Sequence, residues 1–159
     1  MTMLSASAQR VQNALKALGL SLQVIELPAS TRTAAEAAQA VGCQVAQIAK
    51  SLVFETTESH RPILVIASGI NRVSEEMLSE QVGEPVRKAS AEFARNHTGF
   101  AIGGIPPLGH VEKIETFIDR DLLALTEIWA AAGTPRAVFR LTGADLVKAT
   151  GGKVITVSA

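Results

Sequence analysis

Residues 51–68, "SLVFETTESHRPILVIAS", decide the fold class because they contain two strands that are apolar on both faces. The segments "SLVFET" (51–56) and "PILVIAS" (62–68) are joined by the polar residues "TESHR". Strands of this kind are typical of the centre of a sheet that is covered on each side. The pair therefore predicts a central sheet with helices packed against it.

Helix and strand patterns alternate irregularly around this pair. Helices are predicted at "SAQRVQNALKALG" (7–19), "TAAEAAQAVG" (33–42), "SEEMLSEQVG" (74–83), "SAEFARNHTG" (90–99) and "TGADLVKATG" (142–151), with a short helical turn at "QVAQIAK" (44–50). Further strands are predicted at "SLQVIEL" (21–27), "EPVRKA" (84–89), "ETFIDRDL" (115–122), "EIWAAAG" (127–133), "RAVFRLT" (136–142) and "KVITVS" (153–158). Because several strands follow one another without a helix, we expect a mixed, partly barrel-like β-sheet surrounded by helices. We expect one α/β domain over residues 1–159, with the first few residues loose.

The composition excludes several classes of protein. Of the 159 residues, 47% are hydrophobic and 19% are charged, which excludes intrinsic disorder. Basic and acidic residues number 15 each, so the net charge does not indicate a polyanion partner, although a local basic patch can suffice. One cysteine and three separated histidines indicate neither a disulfide framework nor a metal site. Because the chain starts without a long apolar segment and "PILVIASGI" is too short for a membrane span, we expect a soluble cytoplasmic protein.

A second segment, "TGFAIGGIPPLGH" (98–110), is more constrained than an ordinary turn. Gly103 and Gly104 permit a close approach of bare backbone, and Pro106 and Pro107 stiffen the loop. The N–H groups of Gly103, Gly104 and Ile105 are therefore candidates to bind a carbonyl oxygen, a carboxylate or a phosphate. A rigid corner without a ligand explains the same residues.

Two candidate side chains flank these segments. Lys50 precedes the apolar strand, and it either extends to solvent at the end of that strand or faces a polar cavity. In a cavity it would be a cation for a phosphate or a carboxylate. His110 follows the loop and could transfer a proton or bind a substrate, or it is an ordinary surface residue.

Other polar positions are weaker candidates. Thr31 and Arg32 lie at a strand-to-helix junction, where helix capping and pocket lining are both consistent with the sequence. Asp119, within a strand pattern, could orient a substrate amine or end the strand. Gly133 and Arg136 belong to a turn between strands, and Arg136 could face a polyanion or protect a sheet edge. Neither a Gly-x-Ser-x-Gly elbow nor a carboxylate pair indicates a conventional hydrolase site.

Taken in order, "AKSLVF", "GFAIGGIPPLGH", "FIDRDL" and "AAGTPRAVFRLTGADL" resemble the YbaK-like prolyl-tRNA editing domains, which also occur as an insertion domain in bacterial prolyl-tRNA synthetases. The resemblance runs from "ELPASTRTAAEAA" to the end of the chain. Its most specific elements are the Gly-x-x-x-Pro loop, here Gly103 to Pro107, and the lysine before "SLVF", here Lys50. It implies a mixed α/β fold with a central sheet curled into a partial barrel.

The resemblance also implies an activity. Members of the family deacylate mischarged tRNA, typically Cys-tRNA(Pro) or Ala-tRNA(Pro), without a metal, a cofactor or an enzyme nucleophile. The backbone of Gly103 to Pro107 would hold the aminoacyl group and the terminal adenosine, and Lys50 would contact the nearby phosphate. In the cysteine-specific branch the substrate thiol attacks its own ester, whereas smaller aminoacyl groups need a positioned water.

The expected substrate site also includes more peripheral residues. His110 and Asp119 lie near positions that face the pocket in relatives, and Thr31, Gly133 and Arg136 complete the expected lining. Pro106 occupies a loop position that varies in the family. The expected partners are the acceptor end of an aminoacyl-tRNA and a prolyl-tRNA synthetase. A non-catalytic module that binds a tRNA end or a nucleotide is the alternative, and a small-molecule esterase is disfavoured because no nucleophile is visible.

Overall fold

A computed structural model of the chain describes residues 3–158, whose eight strands form one mixed sheet. The helices are α1 (Ala6–Ala17), α2 (Ala34–Val41), α3 (Glu75–Val82), α4 (Ala91–Thr98), α5 (Arg120–Leu123) and α6 (Gly143–Thr150). The strands are β1 (Val24–Glu26), β2 (Ile48–Thr56), β3 (Pro62–Ser68), β4 (Val86–Lys88), β5 (Glu115–Asp119), β6 (Ile128–Ala131), β7 (Ala137–Leu141) and β8 (Lys153–Ile155). The expected loose start of the chain falls partly on residues 1 and 2, which lie outside the described residues.

The central strands are buried on both faces, as the apolar pattern predicts. β2 and β3 pair antiparallel from Ala49↔Ser68 to Glu55↔Pro62. Along β3, Leu64 and Ile66 belong to the larger hydrophobic core, whereas the alternate residues belong to a second core on the opposite face: Ile63, Val65 and Ala67. Side chains alternate between the faces of a strand, so one continuous apolar run supplies both cores.

The sheet has the order β1-β7-β6-β2-β3-β5-β8, and β4 pairs with β2 beside this path. The pairs β2–β6, β3–β5 and β5–β8 are parallel, and the remaining pairs are antiparallel. This arrangement confirms the mixed α/β fold with helices outside the sheet. The parallel pairs need long connections, and these connections contain most of the helices and loops that surround the site.

Local signals predict most helix ends correctly. Thr33 and Glu36 form the expected capping box of α2, and Gly42 ends that helix with φ of 77°. Ser74 and Ser90 accept backbone hydrogen bonds at the starts of α3 and α4. These caps satisfy N–H groups that have no partner within a helix.

Two strand boundaries differ from the prediction, and both matter for the site. β2 begins at Ile48, three residues early, so Lys50 lies inside the strand rather than before it. The predicted strand at 115–122 ends at Asp119, whose Oδ1 accepts a hydrogen bond from the Asp121 N–H 3.0 Å away and starts the short helix α5. A local side-chain bond therefore overrides the apolar pattern there.

Candidate functional site

The site begins at an interruption in the pairing of β2. On one edge of this strand, β6 pairs only with Ile48 and Ala49, and β4 pairs only with Phe54 to Thr56. Within residues 3–158 the intervening part of that edge has no partner strand. Ala89 N–H donates to the Val53 carbonyl (3.1 Å), so the backbone of Ser51, two residues earlier, faces the same edge. Lys50, Ser51 and Leu52 thus border a gap within the sheet.

The glycine-rich loop is attached beside this gap. Gly133, just after β6, donates its N–H to the Gly104 carbonyl at 2.8 Å instead of extending the pairing with β2. A Cβ at Gly104 would lie 2.8 Å from the backbone N and C of Thr134, so only glycine permits this approach of two backbones. Gly104 N–H donates to the Ala101 carbonyl at 3.1 Å and closes a turn. Contrary to the expectation from sequence, this N–H is therefore engaged within the protein.

Two adjoining cavities open on either side of the loop tip. The first cavity has a volume of about 380 Å³ and extends from the start of α2 to β6. The second cavity has a volume of about 480 Å³ and extends toward α3 and β4. Both cavities are lined by the same six residues of β2 and the loop: Lys50, Ser51, Leu52, Ile102, Gly103 and Ile105. The sequence-predicted lysine and loop are therefore neighbours, although more than 50 positions separate them.

The first cavity is mostly apolar but contains two unsatisfied hydroxyl groups. Its apolar lining includes Ala34, Ala37, Ile48, Ala130, Ala131 and Val138. The buried Oγ1 of Thr31 and Oγ of Ser51 have no hydrogen-bond partner among the described residues. An unpaired buried hydroxyl costs about 1–3 kcal/mol, and such groups are uncommon in folded proteins. Both hydroxyls belong to residues that line the first cavity, so they are candidates to pair with a polar ligand.

Lys50 is the cation common to both cavities. Its ammonium group has no hydrogen bond or ion pair within residues 3–158. Burial lowers the pKa of Lys50, Lys88 lowers this pKa further, and Asp119 opposes both effects. A partly desolvated ammonium without a partner is stabilised when an anion binds.

The loop tip presents backbone donors to the same place. No hydrogen bond within residues 3–158 uses the N–H of Gly103 or of Ile105, although Ile105 is buried. Gly103 has φ of 100°, and a Cβ there would lie 2.9 Å from Cγ of Arg32. Glycine therefore provides both the backbone conformation and the room for the Arg32 side chain. These two N–H groups, unlike that of Gly104, have no hydrogen-bond partner among residues 3–158.

Thr31 is held in place through its backbone. Its N–H donates to the Pro135 carbonyl at 2.6 Å, and the N–H of Leu27 donates to the Arg136 carbonyl at 2.8 Å. The turn between β6 and β7 thus fixes the segment that leads into α2. Arg136 contributes through its backbone, while its exposed side chain lines neither cavity. The second cation of the first cavity is Arg32 instead.

The back of the loop is packed rather than open. Pro106 and Pro107 are buried and line neither of the two cavities. His110 also lines neither of these cavities, and its Nε2 donates a hydrogen bond to the Pro106 carbonyl at 2.7 Å. Burial lowers the pKa of His110, and this hydrogen bond partly offsets the effect. These residues therefore contact the loop, not the cavities.

Asp119 and Gly133 also serve the frame of the site. Asp119 is 1% exposed, and its Oδ2 accepts from Ser68 N–H (3.0 Å) and from Asn71 Nδ2 (2.8 Å). Its carboxylate is therefore hydrogen-bonded within the protein, and it lines neither cavity. Gly133 has φ of 97°, and a Cβ there would lie 2.8 Å from the Ser7 carbonyl oxygen. Both residues hold elements together around the gap.

The cleft residues that sequence reasoning missed include Ser51, Arg72, Lys88 and Ile102. The sequence predicts Ser51 as an ordinary strand residue. The interruption of the sheet leaves the Ser51 backbone without a partner strand on one edge. Arg72 and Lys88 are exposed and line the second cavity. Ile102 is 48% exposed at the loop tip. Its place beside "GG" as an apolar residue was the one feature of the sequence that could have indicated a role in the site.

A comparison with known protein families identifies the family of this chain. The model of the aminoacyl-tRNA editing domain matches residues 28–149, a range that contains every residue lining the two cavities. The chain belongs to the aminoacyl-tRNA editing domain family.

Three proteins similar to this editing domain differ in how much of their length the similarity covers. A solved structure described as a candidate trans-editing enzyme for prolyl-tRNA synthetase is 50% identical, with a TM-score of 0.92 and 99% of each chain covered. Protein YwhH of Bacillus subtilis (strain 168) is 29% identical over 131 residues, which are 82% of this chain and 83% of YwhH. The proline–tRNA ligase of Limosilactobacillus fermentum is 31% identical over 94 residues, 57% of this chain but 16% of the ligase.

Two further findings concern membrane-spanning helices and metal ligands. Over residues 3–158, no helix has the length and apolar character needed to cross a membrane. The same residues include no group of three or more His, Cys, Asp or Glu side chains suitable for holding a metal ion.

Proposed function

We propose that this editing domain is a free-standing hydrolase that removes the wrong amino acid from tRNA in trans, with Cys-tRNA(Pro) or Ala-tRNA(Pro) as substrate. The observation that carries the proposal is the meeting of Lys50, two unpaired backbone N–H groups and two unpaired hydroxyls in one cleft. The trans-editing description of the 50% identical structure supports the free-standing role. The relation to a proline–tRNA ligase supports the link to tRNA(Pro) and to prolyl-tRNA synthetase as a partner.

The residues of the proposed site have different roles. The aminoacyl group occupies the first cavity, where its polar atoms pair with the hydroxyls of Thr31 and Ser51. Lys50 binds the phosphate next to the terminal adenosine. The N–H groups of Gly103 and Ile105 donate to the ester carbonyl oxygen as it becomes negative. Gly104, Pro106, Pro107, His110 and Gly133 act by holding the loop, Asp119 by holding β3 to β5, and Arg136 through its backbone.

The chemistry then needs no nucleophile from the protein. A water oxygen bonds to the ester carbonyl carbon, the carbon–oxygen bond to the ribose breaks, and the ribose oxygen takes up the proton that water releases. For a cysteinyl ester, the substrate thiol sulfur bonds to the same carbonyl carbon, the carbon–oxygen bond to the ribose breaks, the ribose oxygen takes up the thiol proton, and the amino acid leaves as a thiolactone. Fixed N–H donors accelerate both routes because they stabilise charge that develops only in the transition state.

The experiment is a deacylation assay on tRNA(Pro) charged with cysteine, alanine, serine, 2-aminobutyrate or proline. We expect the ester of at least one non-cognate amino acid to disappear faster than in a reaction without protein, and the prolyl ester to persist. Lys50→Ala should lower kcat/KM about 30-fold, mainly through KM, because a charge-assisted hydrogen bond is lost. Lys148→Ala removes an exposed lysine that lines neither cavity and is the matched control. Binding of tRNA without acceleration of any ester would contradict the hydrolase and favour the non-catalytic module.

A further inference from the structure

The second cavity has a different character from the first. It is lined by three cations, Lys50, Arg72 and Lys88, and by one carboxylate, that of Glu75. Arg72 and Lys88 are exposed, and neither side chain has an ion pair or hydrogen bond within residues 3–158. The walls between the cations are apolar and include Leu52, Val53, Phe54, Val73 and Ala89. Free positive charges therefore surround an apolar groove.

Two of the three cations, Lys50 and Lys88, lie on one face of the sheet. Lys88 is directly opposite Phe54 in the β2–β4 pair, and opposite residues in a ladder project to the same face. Phe54 and Lys50 are both even-numbered positions of β2, so Lys88 and Lys50 share that face. The lowering of the Lys50 pKa by Lys88 agrees with their proximity. The positive charge thus continues away from the first cavity toward β4.

The loop tip separates and connects the two cavities. Ile102 and Gly103 line both, and the Ile102 side chain is half exposed between them. A ligand that extends from one cavity to the other must pass this apolar side chain. A ribose or a base can pack against it, because both present apolar surface at their faces.

We propose that the second cavity is a binding site for the phosphodiester backbone of single-stranded RNA, namely the nucleotides that precede the terminal adenosine. Arg72 and Lys88 each bind one phosphate upstream of the phosphate bound by Lys50, and Ile102 packs against the sugar or base at the boundary. This inference rests on the proposed function, since the ester in the first cavity determines which end of the RNA enters. It explains how a protein with equal numbers of basic and acidic residues binds a polyanion.

The test measures binding of uncharged RNA, so that it does not depend on hydrolysis. A fluorescently labelled single-stranded tetranucleotide, ACCA, is titrated with protein and competed with adenosine 5′-monophosphate, which has only the terminal phosphate. We expect the wild type to prefer the tetranucleotide. The preference should fall about fivefold or more in Arg72→Ala and in Lys88→Ala, because each removes a phosphate contact. The salt dependence of log K should weaken by about 0.7 per lost contact.

Matched variants separate charge from shape. Arg72→Lys and Lys88→Arg keep the charge and should retain most of the preference, whereas Lys148→Ala should leave it at the wild-type value. An unchanged preference and an unchanged salt slope in the double variant Arg72→Ala/Lys88→Ala would overturn the inference. So would the absence of a preference for the tetranucleotide in the wild type.

The two proposals fail separately. If acylated tRNA is hydrolysed but the alanine variants keep the tetranucleotide preference, the RNA path is wrong and the hydrolase stands. If the alanine variants lose the preference but no ester is hydrolysed, the RNA path stands and the proposed hydrolysis is wrong.

Discussion

The two halves of the loop from Ile102 to Leu108 differ in exposure. The front half, Ile102 and Gly103, is exposed or half-buried and lines both cavities. The back half, from Pro106 to Leu108, is buried, and His110 holds it by a hydrogen bond to the Pro106 carbonyl. Gly104, between them, is locked to the turn after β6. The backbone that lines the cavities is thus joined directly to a backbone that packs in the core.

This difference explains why one loop needs both glycines and prolines. Backbone donors accelerate a reaction only if they keep their positions while charge develops. The packed half provides that rigidity, and the unpaired N–H groups of Gly103 and Ile105 lie on either side of Gly104 at the start of the packed half. Substitutions in the two halves should therefore separate: those in the back lower stability, and those in the front lower activity.

The largest effect is expected at Gly104. In Gly104→Ala the added Cβ would lie 2.8 Å from the backbone of Thr134, which cannot rotate away. We expect the free energy of unfolding in urea to fall by about 3 kcal/mol. Gly83→Ala is the control, because Gly83 has φ of 91° but nothing within 4 Å of an added Cβ. Equal losses in the two variants would contradict the steric explanation.

Gly103→Ala should have its main effect on activity. Alanine strains a backbone with φ of 100° and pushes against the flexible side chain of Arg32. The N–H groups of residue 103 and of Ile105 shift, so kcat for deacylation should fall about 10- to 100-fold while the unfolding free energy falls less than in Gly104→Ala. Combining Gly103→Ala with Arg32→Ala removes the contact but not the strain. Full recovery in that pair would show that the backbone conformation is unimportant.

Thr31→Val should move stability and activity in opposite directions. The Thr31 hydroxyl is buried without a partner, so replacing it by a methyl group should leave the unfolding free energy unchanged or raise it by up to about 1 kcal/mol. If the hydroxyl binds the aminoacyl group, kcat/KM should fall about 5- to 10-fold, the worth of one hydrogen bond. Thr33→Val tests the same chemistry at a residue whose hydroxyl caps α2 and should lose stability instead. A Thr31→Val enzyme with wild-type kinetics would remove this residue from the site.

The smallest effect concerns pH and the back of the loop. Burial lowers the pKa of His110 in the folded protein, so the unfolded chain binds its proton first as the pH falls. Stability from this group is therefore complete above the ordinary histidine pKa of about 6.5 and is lost as the pH falls below it. His110→Gln should flatten the urea stability profile between pH 7.5 and 5. A histidine exposed on a partner-free surface would give the same profile before and after substitution.

The sequence predicts the frame of this molecule better than its cleft. The apolar run at 62–68 supplies both cores, and Thr33 with Glu36 marks a helix start, because both signals depend on near neighbours. The family pattern predicts Lys50 and Gly103, and both residues line the two cavities. Ser51 could not, since its role depends on where β6 and β4 stop pairing with β2. His110 and Arg136 looked equally suited to a site, but packing turns one toward the loop and leaves the other outside the cleft.

The interrupted edge of β2 also determines when the cleft can form during synthesis. β2 and β3 pair through a short local connection, but the partner at Ala49 is Ala130, and the anchor of Gly104 is Gly133. Contacts over such distances in sequence form late, because the intervening chain must first be ordered. A nascent chain that has reached Leu108 possesses the lysine and the glycines but has no β6 to hold them together. The cleft is therefore absent until most of the domain has left the ribosome.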